Sequence, residues 1–377
     1  MKIGINFHTS DKYISGVEYY SLGLINSLLR LDEENRYVVF TNQPDLVRTH
    51  IIPSKNLTVR NLDYLKTRPK RILWEHLRLP QVAEEESLDI LHCPHYVCPF
   101  FNTTIPYVVT IHDTIAIDHP HWCKPSNALY YNLIIKQTIK KTSKIIAPSH
   151  NTADNLKSRF SVNGSKVSII YPGIDSIFNT YKNNWRQNQV KIRYNLPEQY
   201  ILFVGNIEPK KNLIRLLQAY KLLQKKGLPH KLALVGKRSW KNKNVLEEIS
   251  KITDGDVILT GYVERPDLPF VYQMAEVFVF VSLYEGFGFP PLEAMACGIP
   301  VAASTSGALK ETIGESSYNV DPTNPEDIAQ AAYLLITNNN LRQKYIESGL
   351  KESQRFSWDN AARQTLSVYK EALKSRE

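Results

Sequence analysis

The chain has 377 residues with an ordinary globular composition, 43% hydrophobic and 22% charged, which gives room for two domains or three, each with its own core. It contains no low-complexity tract, no repeat at solenoid periods and only four cysteines (Cys93, Cys98, Cys123 and Cys297), so a disulfide framework is excluded and the cysteines are read as reduced thiols. The formal charge of +9 is uneven: residues 1–200 hold 24 Lys and Arg against 17 Asp and Glu, and the remainder holds 22 against 20.

In chain order, MKIGINF opens with an apolar run far too short for a signal peptide, and IGINF (3–7) is a strand. Residues 17–31 carry a helical apolar pattern. Strands follow at YVVFT (37–41) and LTVRNL (57–62). The densest basic cluster, KTRPKR (66–71), is either a solvated loop or a membrane-surface contact. No nucleic-acid motif accompanies it, so nucleic acid is not expected as a partner. A helical stretch over 73–86 leads to the strand DILHC (89–93), then YVVTIHD (107–113), a helix over 124–142, KIIAPS (144–149) and VSIIYPGID (167–175). Runs of Val and Ile without alternation suit parallel strands buried on both faces. Residues 176–198 are polar and aperiodic, and are expected to be a linker and the start of a new unit.

The alternation then restarts: YILFVGN (200–206), a helix from Leu213 to about Lys225, KLALVG (231–236), a helix near 244–252, VILTGYV (257–263), a helix near 268–275, VFVFVS (277–282), IPVAAS (299–304), and a last helix over 359–374. Two consecutive doubly wound α/β units are therefore expected, with ligands outside the carboxyl ends of their strands. No run approaches the length of a bilayer span, and the expected compartment is the cytoplasm.

The stretch EGFGFPPLEAMACGIP (285–300) follows one such strand. Gly286 and Gly288 let backbone approach a ligand closely, with Phe287 and Phe289 beside them. Pro290 and Pro291 mark a helix start, Leu292 to Cys297 is the expected helix with Glu293 in its first turn, and Gly298 closes it. Free amides and the helix dipole make an anion site. Glu293 suits the vicinal hydroxyls of a ribose and Glu285 a second polyol, so the stretch describes a cradle for a sugar nucleotide. A plain strand–turn–helix connection is the alternative, because the GxG lacks its third glycine.

The pair Glu285 and Glu293, spaced E-x7-E inside EGFGFPPLEAMACGIPV, resembles the signature of family 4 glycosyltransferases, retaining enzymes of the two-domain GT-B fold. FVGNIEPKKN (203–212), KIIAPSHNTADNL (144–156), VSIIYPGID, LALVGKRSW and ILTGYVERPDL match the family in the same order. The resemblance implies two Rossmann-like domains facing across a cleft: residues 1–178 for the acceptor, 190–355 for the nucleotide sugar, and 356–377 as a helix packing back on the N-terminal domain. It implies Lys211 on the donor diphosphate, where a cation offsets the leaving group's charge. Asn206 stands where many relatives carry arginine, so Lys210 or Arg238 is the candidate second cation. Gly16 is the one glycine of SGVEYY that carries over to the diphosphate. His112 and Asp113 are expected near the donor sugar, with Asp113 orienting His112, and the base near Tyr262 and Val263. His119, His121 and Trp122 are acceptor-pocket candidates.

No cofactor or metal is expected. LHCPHYVC (91–98) fits no paired zinc spacing, and DGD (254–256) lies in a polar turn. The resemblance implies transfer of a hexose, with UDP-glucose and GDP-mannose as leading donors, to a glycan or lipid-linked acceptor in bacterial surface or exopolysaccharide assembly; peripheral contact with the inner face of the membrane is expected from the basic N-terminal half. An epimerase and a non-catalytic sugar-nucleotide binder are the rivals; an NAD enzyme is disfavoured because no G-x-G-x-x-G follows the first strand.

Overall fold

The computed structural model describes residues 1–9, 14–101, 104–239 and 242–374. Two compact units form, one from Met1–Gly173 with Ser357–Glu377 and the other from Ile174–Phe356. The first unit is built on seven parallel strands: β1 (Lys2–Asn6), β2 (Arg36–Thr41), β3 (Leu57–Asn61), β4 (Ile90–Cys93), β5 (Tyr107–Thr110), β6 (Lys144–Ala147) and β7 (Val167–Ile169). Their order across the sheet is β3-β2-β1-β4-β5-β6-β7. The second unit has β8 (Tyr200–Val204), β9 (Lys231–Val235), β10 (Val257–Gly261), β11 (Val277–Phe280), β12 (Val301–Ala303) and β13 (Tyr318–Asn319), ordered β10-β9-β8-β11-β12-β13.

The central strands are buried along their whole length, as in YILFV and VFVF, because helices cover both faces. The edge strand β3 keeps exposed residues, LTVRN. In each sheet the chain winds outward one way, returns to the middle and winds out the other way. That reversal falls between β1 and β4 in the first unit and between β8 and β11 in the second. Loops at the carboxyl ends of such a strand pair diverge and leave a crevice, the place where open α/β sheets bind ligands.

Several elements differ from the sequence expectation. The helix expected over 73–86 is two helices, Arg68–Leu77 and Leu79–Glu85. Pro80 lacks the amide that would continue the first of them. The cluster KTRPKR is thus no free loop: Arg68 begins the first helix, with Pro69 in its first turn. The expected linker at 176–198 contains the helix Asn184–Arg193, in which Val190 is the buried residue. Its hold is electrostatic. Buried Asp267 accepts from Arg186 at 2.6 Å, Arg193 at 2.9 Å and the Tyr194 hydroxyl at 2.9 Å.

The last helix, Trp358–Lys374, packs within the first unit. Asp359 accepts from the Ser27 hydroxyl at 2.5 Å, Glu371 pairs with Lys144 at 2.7 Å, and the Tyr369 hydroxyl meets His92 Nδ1 at 2.7 Å. Residues 375–377 of the expected C-terminal segment, and Trp240 of LALVGKRSW, lie outside the described residues. Among the described residues no helix is long and apolar enough to cross a membrane.

Candidate active site

The reversal between β8 and β11 brings two loops together. After β8 the chain runs through Gly205, Asn206 and a single turn, Pro209–Lys211; after β11 it runs through Ser282 to Glu285. The Leu283 amide donates to the Lys210 carbonyl at 2.8 Å and stitches the loops. Lys211 Nζ then donates to Glu285 Oε1 at 2.5 Å, and the Ser282 hydroxyl donates to the same oxygen at 2.5 Å. Lys210 Nζ lies 3.9 Å from Glu285 Oε2 and 3.8 Å from Glu208.

Both members of the central pair are 8% exposed. Burial pushes the Glu285 carboxyl upward, but Lys211 and Lys210, with the hydrogen bonds from Lys211 and Ser282, outweigh it and hold the group below its ordinary 4.5. Lys211 also sits 4.8 Å above the Phe280 ring. The result is an ionised carboxylate and an ammonium side by side at the carboxyl ends of β8 and β11.

The helix after Glu285 starts earlier than the sequence suggests. It spans Phe289–Ala296, because Gly288 turns the chain at φ +103° and frees Phe289 to be its first residue. Pro290 and Pro291 are its second and third residues. Glu293 is consequently in the second turn, not the first, and points into the unit at 3% exposure. Arg265 donates to its Oε1 at 2.6 Å and the Tyr272 hydroxyl to its Oε2 at 3.0 Å. The Gly298 amide closes the helix on the Met295 carbonyl at 3.0 Å. Gly286 lies beside Glu285, Phe287 is buried against Phe289 at 5.0 Å, and Leu292 is fully buried.

The remaining candidates of this unit follow the ends of β8, β9 and β10. Asn206 and Arg238 are exposed, and a parallel bridge between Ile207 and Arg238 holds the β8 and β9 loops together. Tyr262, after β10, lies under Lys237 at 5.5 Å, and Val263 is buried. Four contributors escaped the sequence reading. Ser282 fixes Glu285, Arg265 and Tyr272 fix Glu293, and Gly307 allows its chain to pass directly against the Glu285 backbone. A Cβ at Gly307 would lie 2.5 Å from the Glu285 carbonyl oxygen, and φ there is +62°. The only sequence signal for Gly307 was its place just beyond the next strand.

The first unit carries the other candidates. Gly16 is the exposed first residue of the helix Gly16–Leu31, where Glu18 accepts from the Ser15 amide at 2.9 Å. His112 follows β5. Its Nε2 donates to the Pro94 carbonyl at 2.8 Å, while Asp113 accepts from the Ile115 amide at 3.1 Å. The orienting partner of His112 is therefore Pro94, and Asp113 instead caps its own loop. Burial lowers the His112 pKa, partly offset by the Pro94 bond and the charges of Asp113 and Glu18. His119 stacks on Trp122 at 4.2 Å, with His121 exposed beside them. In LHCPHYVC, His92 has one ring nitrogen on Tyr369 and the other on Thr110 at 2.9 Å, so its ring is structural. In DGD the Asp256 amide returns to the Thr253 carbonyl at 3.1 Å, a turn.

Comparison with known proteins adds a second line. Residues 14–177 match the family described as Glycosyltransferase Family 4, and residues 186–352 match Glycosyl transferases group 1. The chain is 27% identical over 369 residues to O-antigen chain mannosyltransferase B of Escherichia coli, covering 95% of this chain and 96% of that protein. Among solved structures it is similar to sucrose-phosphate synthase from Thermosynechococcus elongatus, with a TM-score of 0.79, 21% identity and 99% of both chains covered. It is also similar to Anabaena HepE in complex with UDP-glucose, with a TM-score of 0.76, 19% identity and both chains covered completely, at 100%.

Proposed function

The chain belongs to the family 4 glycosyltransferases and has the GT-B fold, and on that premise we propose that it is a retaining enzyme that moves a hexose from a nucleoside diphosphate sugar to a hydroxyl of a glycan or lipid-linked acceptor. UDP-glucose and GDP-mannose are the donors to test first. The names of the E. coli mannosyltransferase and of the HepE complex support that pair, and the former supports a place in bacterial surface polysaccharide or exopolysaccharide assembly.

The observation that carries this reading is the Lys211–Glu285 pair at the crevice of the second unit. Glu285 holds the sugar. A carboxylate offers about four lone-pair positions, so it accepts from hexose hydroxyls while Lys211 and Ser282 keep it in place. Lys211, with Lys210, faces the diphosphate. In the transfer step the acceptor oxygen bonds to the anomeric carbon on the face the diphosphate leaves. The bond from that carbon to the phosphate oxygen breaks with its electron pair going to the diphosphate, which takes the acceptor proton. The lysines offset the charge as it grows, and positioning supplies the rest. The ribose role of Glu293, whose carboxylate is held by Arg265 and Tyr272, rests on the family resemblance. The base lies near Tyr262 and Val263, and Asn206 and Arg238 flank the phosphates. The donor roles of Gly16, His112 and Asp113 rest on the family resemblance.

Peripheral membrane contact is part of the same reading. Beside KTRPKR, a groove of about 690 Å³ is lined by Ile72, Leu73, Leu77, Phe100 and Phe101, with Arg68 at its edge. Leu73 is 60% and Phe101 56% exposed. Lys66 and Lys70, on either side of the lining residues Arg68 and Pro69 in the sequence, are exposed. Apolar side chains in a basic rim suit one occupant, the hydrocarbon edge of a bilayer with anionic headgroups.

A screen of common sugar nucleotides tests the proposal. Acceptor-dependent release of UDP or GDP supports transfer. Interconversion of the donor with its nucleotide still attached supports the epimerase, and binding without either supports a non-catalytic binder.

A further inference from the structure

The other topological reversal, between β1 and β4 of the first unit, collects polar side chains that the fold leaves with little to do. Asn6 ends β1 at 5% exposure, and its Oδ1 is buried without a hydrogen bond. His8 follows it, 4% exposed, its ring edge-on to Trp74 at 5.5 Å. His95 follows β4, near Phe7 at 6.0 Å, with Nε2 buried and without a partner. The helix Arg68–Leu77 supplies Arg71 and, one turn on, Glu75. Glu75 receives one long hydrogen bond, from Asn6 at 3.4 Å. The Nε of Arg71 is buried and unbonded, and among the described residues no ion pair joins Arg71 to Glu75.

Buried polar groups normally find partners within the fold, and a carboxylate and a guanidinium on one helix face normally find each other. Here a carboxylate, a guanidinium, an amide and two imidazoles share the strand ends where an open sheet binds its ligand, and all keep bonding capacity in hand.

We propose that Asn6, His8, Arg71, Glu75 and His95 form the subsite that holds the acceptor, and that the group it holds is a neutral sugar ring read through its hydroxyls. This rests on the glycosyltransferase reading above and names the substrate class of its acceptor side. Glu75 accepts from hydroxyls, Arg71 donates to them, and neutral imidazole does both. Neutrality follows from the surroundings. Burial first, then the charge of Arg71, lowers the His8 pKa to about 3; burial, then neighbouring His112, His8 and Arg71, holds His95 well below its ordinary value. Burial raises the Glu75 pKa, opposed by the charge of Arg71 and the Asn6 hydrogen bond; ionised, Glu75 balances Arg71 and disfavours a phosphate or carboxylate placed beside it.

The test uses the full-length protein and saturation-transfer NMR with titration. The probes are methyl α-D-glucopyranoside, methyl α-D-mannopyranoside and methyl α-D-galactopyranoside, with sn-glycerol 3-phosphate as the anionic comparison. The expected result is that at least one methyl glycoside binds wild type and that Glu75→Gln and Arg71→Met each weaken it about tenfold or more. The donor-induced thermal shift, read on the same samples, is expected to stay unchanged. That shift reports the second unit independently, so a failure of the donor reading shows there and not in the glycoside titration. Preference for glycerol 3-phosphate, no glycoside binding to wild type, or unchanged glycoside affinity in either folded variant would overturn the proposal. If Glu75→Gln unfolds, Arg71→Met carries the test alone.

Discussion

Lys211 and Glu285 leave the carboxyl ends of neighbouring strands, β8 and β11, and meet with the ammonium donating to the carboxylate at 2.5 Å. Sheet order makes that meeting possible. Because β11 returns to lie beside β8, residues 74 positions apart in sequence become partners in a crevice.

Replacing Glu285 by Gln keeps the shape and removes the charge. Transfer is expected to fall by about 10²- to 10³-fold with the fold retained. Glu285→Ala is expected to cost about 3 kcal/mol of stability as well, because it leaves the buried Lys211 without its partner. Initial rates of nucleotide release and urea unfolding of both variants check the two halves.

The same pair predicts an acid sensitivity. The folded-state pKa of Glu285 lies below its ordinary 4.5, so its contribution to stability is complete above that value and is lost as pH falls through the folded one. Thermal unfolding of wild type and Glu285→Gln between pH 7 and pH 3 should show wild type ahead at neutral pH. The gap should close below about pH 4.5.

Gly307→Ala tests whether the backbone of Glu285 needs its neighbour to lack a side chain. The added Cβ would meet the Glu285 carbonyl at 2.5 Å in a left-handed conformation. A loss of about 1–3 kcal/mol in stability is expected, with a fall in transfer rate beyond what donor affinity explains. Chemical denaturation and steady-state kinetics separate these effects.

Membrane contact is checked with vesicles. The double charge reversal Lys66→Glu with Lys70→Glu should weaken co-sedimentation with anionic vesicles about tenfold or more, at roughly 1 kcal/mol per lysine. Leu73→Asp with Leu77→Asp should weaken binding to the same vesicles at high salt, where the lysines are screened. Unchanged binding in both would return the cluster to a solvated surface.

The alternation of buried strands and helices was legible because parallel strands covered on both faces carry unbroken apolar runs. The E-x7-E stretch was legible because its glycines, prolines and acids follow one such run. What stayed hidden was set by tertiary contact. The helix Asn184–Arg193 has a faint apolar face and is fastened by Asp267, about eighty residues away. The start of the helix carrying Glu293 turned on Gly288, whose positive φ outweighed the proline signal. Arg265, Tyr272 and Ser282 act on the two glutamates only once the strands are paired. Asp113 follows His112 in sequence, yet the hydrogen bond that orients the imidazole is the one it donates to the Pro94 carbonyl.

Calorimetric titration of UDP-glucose and GDP-mannose into wild type, Lys211→Ala and Glu285→Gln probes the donor site most directly. One of the two nucleotide sugars should bind wild type. Lys211→Ala should weaken that sugar nucleotide and its free nucleoside diphosphate alike, whereas Glu285→Gln should weaken the sugar nucleotide and leave the free diphosphate nearly untouched. Equal affinities across all three proteins would contradict the placement of diphosphate and hexose on this pair.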